Sequence, residues 1–394
     1  MSQAVTHEPA HEPAGAAPAK TGDRYPALDG LRALAVLMVV LTHIGFQTGQ
    51  TFHGTLGALL GRLDFGVTLF FLLSGFLLYG PFVRAQLLGR PRPHLGDYLR
   101  NRGLRVLPGY WAAVLVIVPV MAASAFHPVE LLWQLLLVQV YSPGHVLSAL
   151  SQMWSLCVEV TFYLALPVLA WLAGRHRDVL RGQAWLLGTM VTVAVLWTGL
   201  TRGGVLPVDQ RVSGLWLPAF LDWFALGMGL AVLRAWHDLT GRGRVLDQLG
   251  DAGGTCWAVG ALLLWLTTTP LGGPLGLELP TAGQALTKHL LYGAAALFLL
   301  LPAVFGTAEG TAVRTFLESR PARWTGRVSY GVFLWHLLVL HLVYESLGYA
   351  PFTGHVALVT CLEVPLSLAV AALSLRVVEG PALAQRRRWT TAGR

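Results

Sequence analysis

YPALDGLRALAVLMVVLTHIGF, residues 25–46, is apolar from end to end except at Asp29, Arg32 and His43. As a helix rising 1.5 Å per residue, it would measure about 33 Å, close to the hydrocarbon thickness of a bilayer. A charged side chain at that depth costs a few kcal/mol even on lenient scales, so its presence there points to function. Arg32 and His43 lie eleven positions apart. That is nearly three helical turns, so both project from one face about 16 Å apart along the axis. An apolar helix with two polar groups on one stripe reads as the wall of a tunnel.

The rest of the chain repeats the pattern. Of its 394 residues, 54% are hydrophobic and only 12% charged, about half the charge usual in a soluble domain. Lipid offers the backbone no hydrogen-bond partners, so spanning segments must be helices or a closed barrel. The apolar runs are continuous rather than short and alternating, which excludes the barrel. The reading is therefore an all-α, polytopic transmembrane bundle of about ten helices. They fall near 28–48, 66–83, 105–124, 152–173, 183–201, 215–234, 252–270, 285–305, 328–348 and 356–379. A shorter apolar stretch, 127–141, reads as a re-entrant or interfacial helix. Cys157, Cys256 and Cys361 have no CxxC neighbour or metal-ligand spacing and read as small buried hydrophobes without a disulfide. Residues 1–24, rich in Ala and Pro, read as a disordered tail rather than a metal site built on His7 and His11. Residues 25–380 read as the transmembrane domain and 381–394 as a basic tail.

The net charge of +8 raises the question of nucleic acid, and its distribution answers it. With a cytoplasmic N-terminus, twenty-two of the twenty-eight Lys and Arg residues fall in cytoplasmic segments. Only Arg62, Arg202 and Arg211 fall outside; Arg32, Lys288 and Arg376 lie within helices. That asymmetry is the positive-inside pattern of a protein whose partner is the bilayer, with both termini cytoplasmic.

Further polar groups mark particular helices. In FGVTLFFLLSGFLLYG (65–80), Ser74 and Gly75 form a small notch suited either to close helix packing or to a polar contact. Arg102 and Arg105 sit one turn apart, where two guanidinium forks could grip phosphates or simply anchor the chain. Glu159, in SQMWSLCVEVTFYLALP (151–167), lies at about the depth of His43, suggesting a base with an orienting or proton-accepting partner. His336 and His341 in SYGVFLWHLLVLHLVYE share a face poorly, and a lone His336 reads as a packing residue. Asp222 and Glu363 are intramembrane acids to which spacing assigns no role.

Taken in order, DGLRALAVLMVVLTH, FFLLSG (70–75), RNRGLR (100–105), MWSLCVEVTFY (153–163) and SYGVFLWH (329–336) resemble the acyltransferase 3 family of integral membrane O-acyltransferases. The resemblance runs from residue 25 to about 380. It implies transfer of an acyl group, often acetyl, from acyl-CoA as donor substrate to a hydroxyl of a sugar, lipid, cell-envelope polymer or natural product, with no metal. Carried over, His43 is the base or acyl relay and Arg32 its partner in the pore; Glu159 joins the catalytic set. Arg102 and Arg105 become phosphate contacts to the donor, with Ser74 beside them. His336 and Asp29 are secondary candidates. Many relatives carry an esterase-like domain after the last helix, and an acceptor-loading step of that kind is expected to be absent here or to belong to another protein. An alternative reading of the same His, Glu and Arg groups is a proton-coupled transporter or permease. The clustering of polar motifs in helices 1, 2, 4 and 9, with no internal repeat, favours the transferase.

Overall fold

The computed structural model describes residues 25–121, 128–142, 147–276, 278–306 and 311–384. The expected tail 1–24 and most of the basic tail lie outside them. Among the described residues the secondary structure is helical. In chain order the helices are α1 (Pro26–Gln47), α2 (Gly54–Gly61), α3 (Phe65–Leu87), α4 (Leu95–Met121), α5 (Pro128–Leu135), α6 (Trp154–Ala173), α7 (Val179–Arg202) and α8 (Gln210–Ser213). There follow α9 (Leu221–Thr240), α10 (Arg244–Asp251), α11 (Gly253–Leu266), α12 (Ala282–Val304), α13 (Ala312–Leu317), α14 (Arg320–Leu347) and α15 (Val356–Ser374). Nine spans among these are long and apolar enough to cross a bilayer.

Side-chain pairs fix the direction of each crossing. Tyr25 meets Phe76 and Gly66 abuts Ala35, so α3 runs antiparallel to α1. Phe71 stacks near Phe220 and Phe224 while Arg84 pairs with Asp238, so α9 runs parallel to α3. The Trp223 indole donates to the His289 carbonyl (3.0 Å) and Arg234 to that of Val304 (3.0 Å), so α12 runs parallel to α9. Two parallel helices joined by residues 241–281 require one return crossing between them. The bent pair α10–α11, kinked by 76°, supplies it and makes the tenth pass. The helix expected over 252–270 is α11, which ends four residues early at Leu266, and the bend lies just before it. The reason is chemical: α10 carries Arg244, Asp247 and Asp251, and Asp247 is held by His237 (2.9 Å), so this turn lies across the bundle end instead of entering lipid.

Two other expectations shift. The third crossing begins at Leu95, ten residues early, which puts Arg102 and Arg105 two turns or more inside the helix rather than at its start. Helical structure at the C-terminal end runs through a π turn at Leu375–Glu379 to Ala384, past the expected boundary at 380. The short α5 is about 12 Å long and cannot span; Tyr110 and Trp111 of α4 donate to the carbonyls of Gln134 (2.6 Å) and Leu135 (3.0 Å) at its C-terminal end. Cys157 and Cys256 are buried, but Cys361 is exposed on the outer face of α15, where a small apolar thiol meets lipid as readily as core.

Lipid provides little hydrophobic drive between helices, so close backbone approach decides the packing. The α3–α9 contact shows this. A Cβ built on Gly75 would stand 2.4 Å from the Phe224 carbonyl oxygen, and one on Gly227 would stand 2.0 Å from that of Leu72. Each helix presents a glycine to the other's backbone. Phe224 then fills the layer beside them, stacked on Phe71 (4.6 Å) and on Phe162 of α6 (3.9 Å).

Candidate functional site

With Gly75 turned to α9, its neighbour Ser74 faces α6 and donates a hydrogen bond to Glu159. The notch therefore serves both readings of the sequence, one residue for each. Ser74 and Glu159 line a cavity of about 120 Å³ together with Arg32, Arg102, Arg105, Tyr163 and Tyr330. Three guanidinium groups and one carboxylate converge here from α1, α4 and α6. Arg32 Nη1 is 2.9 Å from Asp29 Oδ1, one turn earlier on α1. Arg105 lies over the Tyr330 ring, 6.0 Å from its centroid. Arg102 has no ion-pair partner among the described residues, and its Nε is buried without a hydrogen bond. Phe70, Phe71 and Phe333 form the apolar part of the wall.

His43 is not in that lining. It stands deeper on α1, against α14. These two helices run parallel, since Asp29 meets Gly326 and His43 meets His336. The rings are 5.0 Å apart, edge to face. His336, expected as a lone packing residue, is thus the immediate neighbour of His43, while Glu159, expected beside His43, is engaged by Ser74 instead.

The surrounding carbonyls assign the tautomers. His43 Nδ1 lies 2.7 Å from the Val39 carbonyl oxygen, which can only accept, so Nδ1 carries the proton. His336 Nδ1 faces the carbonyls of Val332 (3.1 Å) and Phe333 (2.9 Å), so it too carries its proton. That leaves His336 Nε2 as an acceptor, 3.4 Å from His43 Nδ1. The proton of His43 Nδ1 is shared between a carbonyl and a bare ring nitrogen. Nε2 of His43 keeps its lone pair with no hydrogen-bond partner among the described residues. A histidine held this way is a proton acceptor aimed by its other nitrogen.

A second cavity, about 270 Å³, lies on the far side. Val67 lines both cavities. Its polar groups are Arg62, Asp64, Arg202, Lys288 and His289, and its aromatic walls are Trp154, Phe220, Trp223 and Tyr292. Lys288 Nζ is 2.7 Å from Asp64 Oδ2, and Tyr292 donates to Asp64 Oδ1 (2.5 Å). Neither His43 nor His336 lines either cavity, but Phe333 in the wall of the arginine-lined one lies 6.3 Å from the His336 ring, centroid to centroid. Arg62, expected in an outer segment, is buried and donates to the carbonyls of Thr267 (2.7 Å) and Gly273 (2.5 Å), closing the loop between α11 and α12. Asp222 sits 3.4 Å from His289 at the edge of this basin. Glu363 is remote from both cavities and accepts from Ser367 (3.0 Å). Sequence reasoning missed Asp64, Tyr163 and Tyr330. Tyrosines in apolar helices carry no signal of their own, and Asp64 lies just outside its helix.

Comparison with known proteins supplies the family. An acyltransferase-domain profile matches residues 25–375. The peptidoglycan O-acetyltransferase OatA of Listeria monocytogenes is 25% identical over 380 residues, covering 90% of this chain and 55% of that protein. The O-acetyltransferase OatA of Staphylococcus aureus is 24% identical over 380 residues, covering 90% of this chain and 57% of its own length. Nodulation protein 10 of Rhizobium leguminosarum bv. viciae is 24% identical over 383 residues, covering 91% of this chain and 93% of the relative. The chain therefore spans about half the length of the O-acetyltransferase relatives and nearly all of the nodulation protein. No solved structure matches. With the profile running through every crossing and both sides of the His43 site, the chain belongs to the acyltransferase 3 family of membrane acyltransferases.

Proposed function

We propose that this chain moves an acyl group, acetyl before longer chains, from acyl-CoA to a hydroxyl of a sugar, lipid, envelope polymer or natural product. The observation that carries the reading is the bare Nε2 of His43, aimed by Val39 and His336, in a bundle that also holds an arginine-lined cavity and a separate polar basin meeting at Val67. The arginine asymmetry orients the protein with both termini in the cytoplasm, so the arginine cavity faces the cytoplasmic donor. The relatives named peptidoglycan O-acetyltransferase and O-acetyltransferase point the same way.

The chemistry balances on these residues. An alcohol is a weak nucleophile until a base takes its proton. Nε2 of His43 accepts that proton as the oxygen bonds to the thioester carbonyl carbon. The tetrahedral intermediate expels the CoA thiolate, which takes the proton back from the imidazolium and leaves as thiol. In the alternative route, Nε2 itself bonds to the carbonyl carbon and CoA leaves as thiolate; the acceptor hydroxyl then bonds to the acyl carbon as the C–Nε2 bond breaks, and its proton passes to the freed Nε2 and on to the thiolate. In both, the apolar walls of Phe70, Phe71 and Phe333 keep water from the thioester.

The test is transfer itself. Membrane vesicles containing the protein, given [¹⁴C]acetyl-CoA and an envelope extract, are expected to accumulate label that mild alkali releases as acetate. Label that stays on CoA, or that crosses the membrane without forming an ester, would favour a transport role. The donor contacts give a second expected result. Arg102→Ala with Arg105→Ala should raise KM for acetyl-CoA about tenfold or more, since a hydrogen bond to a charged group is worth about 1.5–3 kcal/mol. The effect on kcat should be smaller, because binding and not chemistry has been weakened. A pair serving only as a membrane anchor would leave KM unchanged and lower the amount of inserted protein.

A further inference from the structure

The third crossing and the ninth do not share all their arginines with the cavity just described. A separate, larger cavity of about 780 Å³ opens at the ends of α1 and α14. It is lined by Tyr25, Asp29, Arg32, Arg320, Arg323, Trp324 and Arg327, with Leu77. Arg320, Arg323 and Arg327 follow at steps of three and four, so they form one stripe about 10 Å long on α14. All three are exposed. Among the described residues none of their guanidinium groups has an ion pair or hydrogen bond, because the nearby acids are taken: Asp29 by Arg32 (2.9 Å) and Glu318 by Arg314 (3.0 Å). Trp324 sits within the stripe with 41% of its surface exposed. Three unpaired guanidinium groups beside an open indole repel one another unless something anionic joins them. Guanidinium forks match phosphate oxygens, and an aromatic face matches a base.

This cavity and the inner one share two residues, Arg32 and Leu77. The Arg32–Asp29 pair is therefore the threshold between them. We infer that the α14 stripe is the docking site for the 3′-phosphoadenosine end of the donor: Arg320, Arg323 and Arg327 take the 3′-phosphate and Trp324 faces the adenine. From there the pyrophosphate passes Arg32 toward Arg102 and Arg105, and the pantetheine arm reaches the apolar wall below His43. The inference rests on the acyl-CoA reading above but divides the donor between two arginine sets, each with its own phosphate. Anionic lipid headgroups have the same phosphate chemistry, so the experiment must separate the two sources.

Calorimetric titration of the full chain in nanodiscs does so, with acetyl-CoA and acetyl-dephospho-CoA as probes. The second lacks only the 3′-phosphate. The wild type is expected to bind acetyl-CoA about tenfold or more tightly than the dephospho form. Arg323→Ala with Arg327→Ala should bring that ratio close to one, with affinity for the dephospho form retained, which also shows that the variant is folded. Arg323→Gln alone should lower the ratio part of the way and serves if the double variant is poorly made. Arg102→Ala with Arg105→Ala should weaken both probes alike and keep the ratio. All titrations are run in phosphatidylcholine and again with 30% phosphatidylglycerol. A ratio unaltered by the α14 changes, or a wild type that binds both probes equally, overturns the inference while leaving the donor reading intact. An effect of the α14 changes that appears only as altered dependence on phosphatidylglycerol also overturns it, in favour of lipid. Failure of the wild type to bind either probe removes both the donor reading and the inference.

Discussion

His43→Ala is expected to lower turnover of acetyl-CoA by about 10²–10⁴-fold, the usual contribution of a positioned general base, while the protein remains folded. The side chain is half-buried and its loss leaves only His336 Nε2 without a donor, since the Val39 carbonyl keeps the backbone N–H one helical turn on. Those groups sit inside α1 and α14, whose backbone pairing does not depend on the ring. His336→Ala should behave differently. His336 touches no reacting atom in the proposed chemistry; it accepts from Nδ1–H and so fixes where Nε2 points. Losing one of two acceptors should reduce kcat about tenfold, with KM for the donor unchanged. Quenching the reaction in acid and searching for label on the protein separates the two chemical routes. A labelled wild type and an unlabelled His43→Ala would mark an acyl-histidine; label on neither would mark direct attack. Undiminished turnover in His43→Ala would sink both.

The sequence alone reveals the crossings, the orientation of their charges and most of the inner cavity, because those depend on periodicity and on the rarity of charge in apolar helices. Arg32, Ser74, Glu159, Arg102 and Arg105 all line one space, although depth along each helix had set Glu159 apart from the arginines, toward His43. What the sequence could not give was register between helices. His43 meets His336 only because α1 and α14 run parallel with Asp29 level with Gly326. Depth counted along each helix by itself paired His43 with Glu159, yet Ser74 reaches that carboxylate first. Arg62 shows the same limit: as a letter it is an exterior charge, and in the fold it is a buried clamp on three loop carbonyls. The break before α11 was hidden for another reason. The hydropathy of 252–270 is helical throughout, and only the direction of α9 and α12 shows that α10 must turn the chain.

That register has a physical cause, and removing it has a large expected effect. A Cβ built on Gly326 would lie 1.8 Å from the backbone oxygen of Asp29 and 2.5 Å from its carbonyl carbon. No side-chain rotation relieves a clash with backbone, so α14 must move off α1. Gly326→Ala gains helix propensity worth about 1 kcal/mol. Against it stands overpacking of about 3 kcal/mol or more, the upper end for an inserted methyl because the neighbour cannot yield. The net is destabilising, and the damage extends beyond stability. Moving α14 outward by about an ångström displaces His336 from His43 and Tyr330 from Arg105, and misplacement on that scale costs about 10²-fold in rate. The expected result is a lower melting temperature in detergent and turnover reduced about 10²-fold in whatever protein remains folded. Gly188→Ala is the control: it lies in the interior of α7 with nothing within 4 Å of its built Cβ. It should be neutral or slightly stabilising, by at most about 1 kcal/mol. If Gly326→Ala melts and turns over like Gly188→Ala, then the α1–α14 contact does not set the His43–His336 geometry, and the aim of Nε2 must come from elsewhere in the fold.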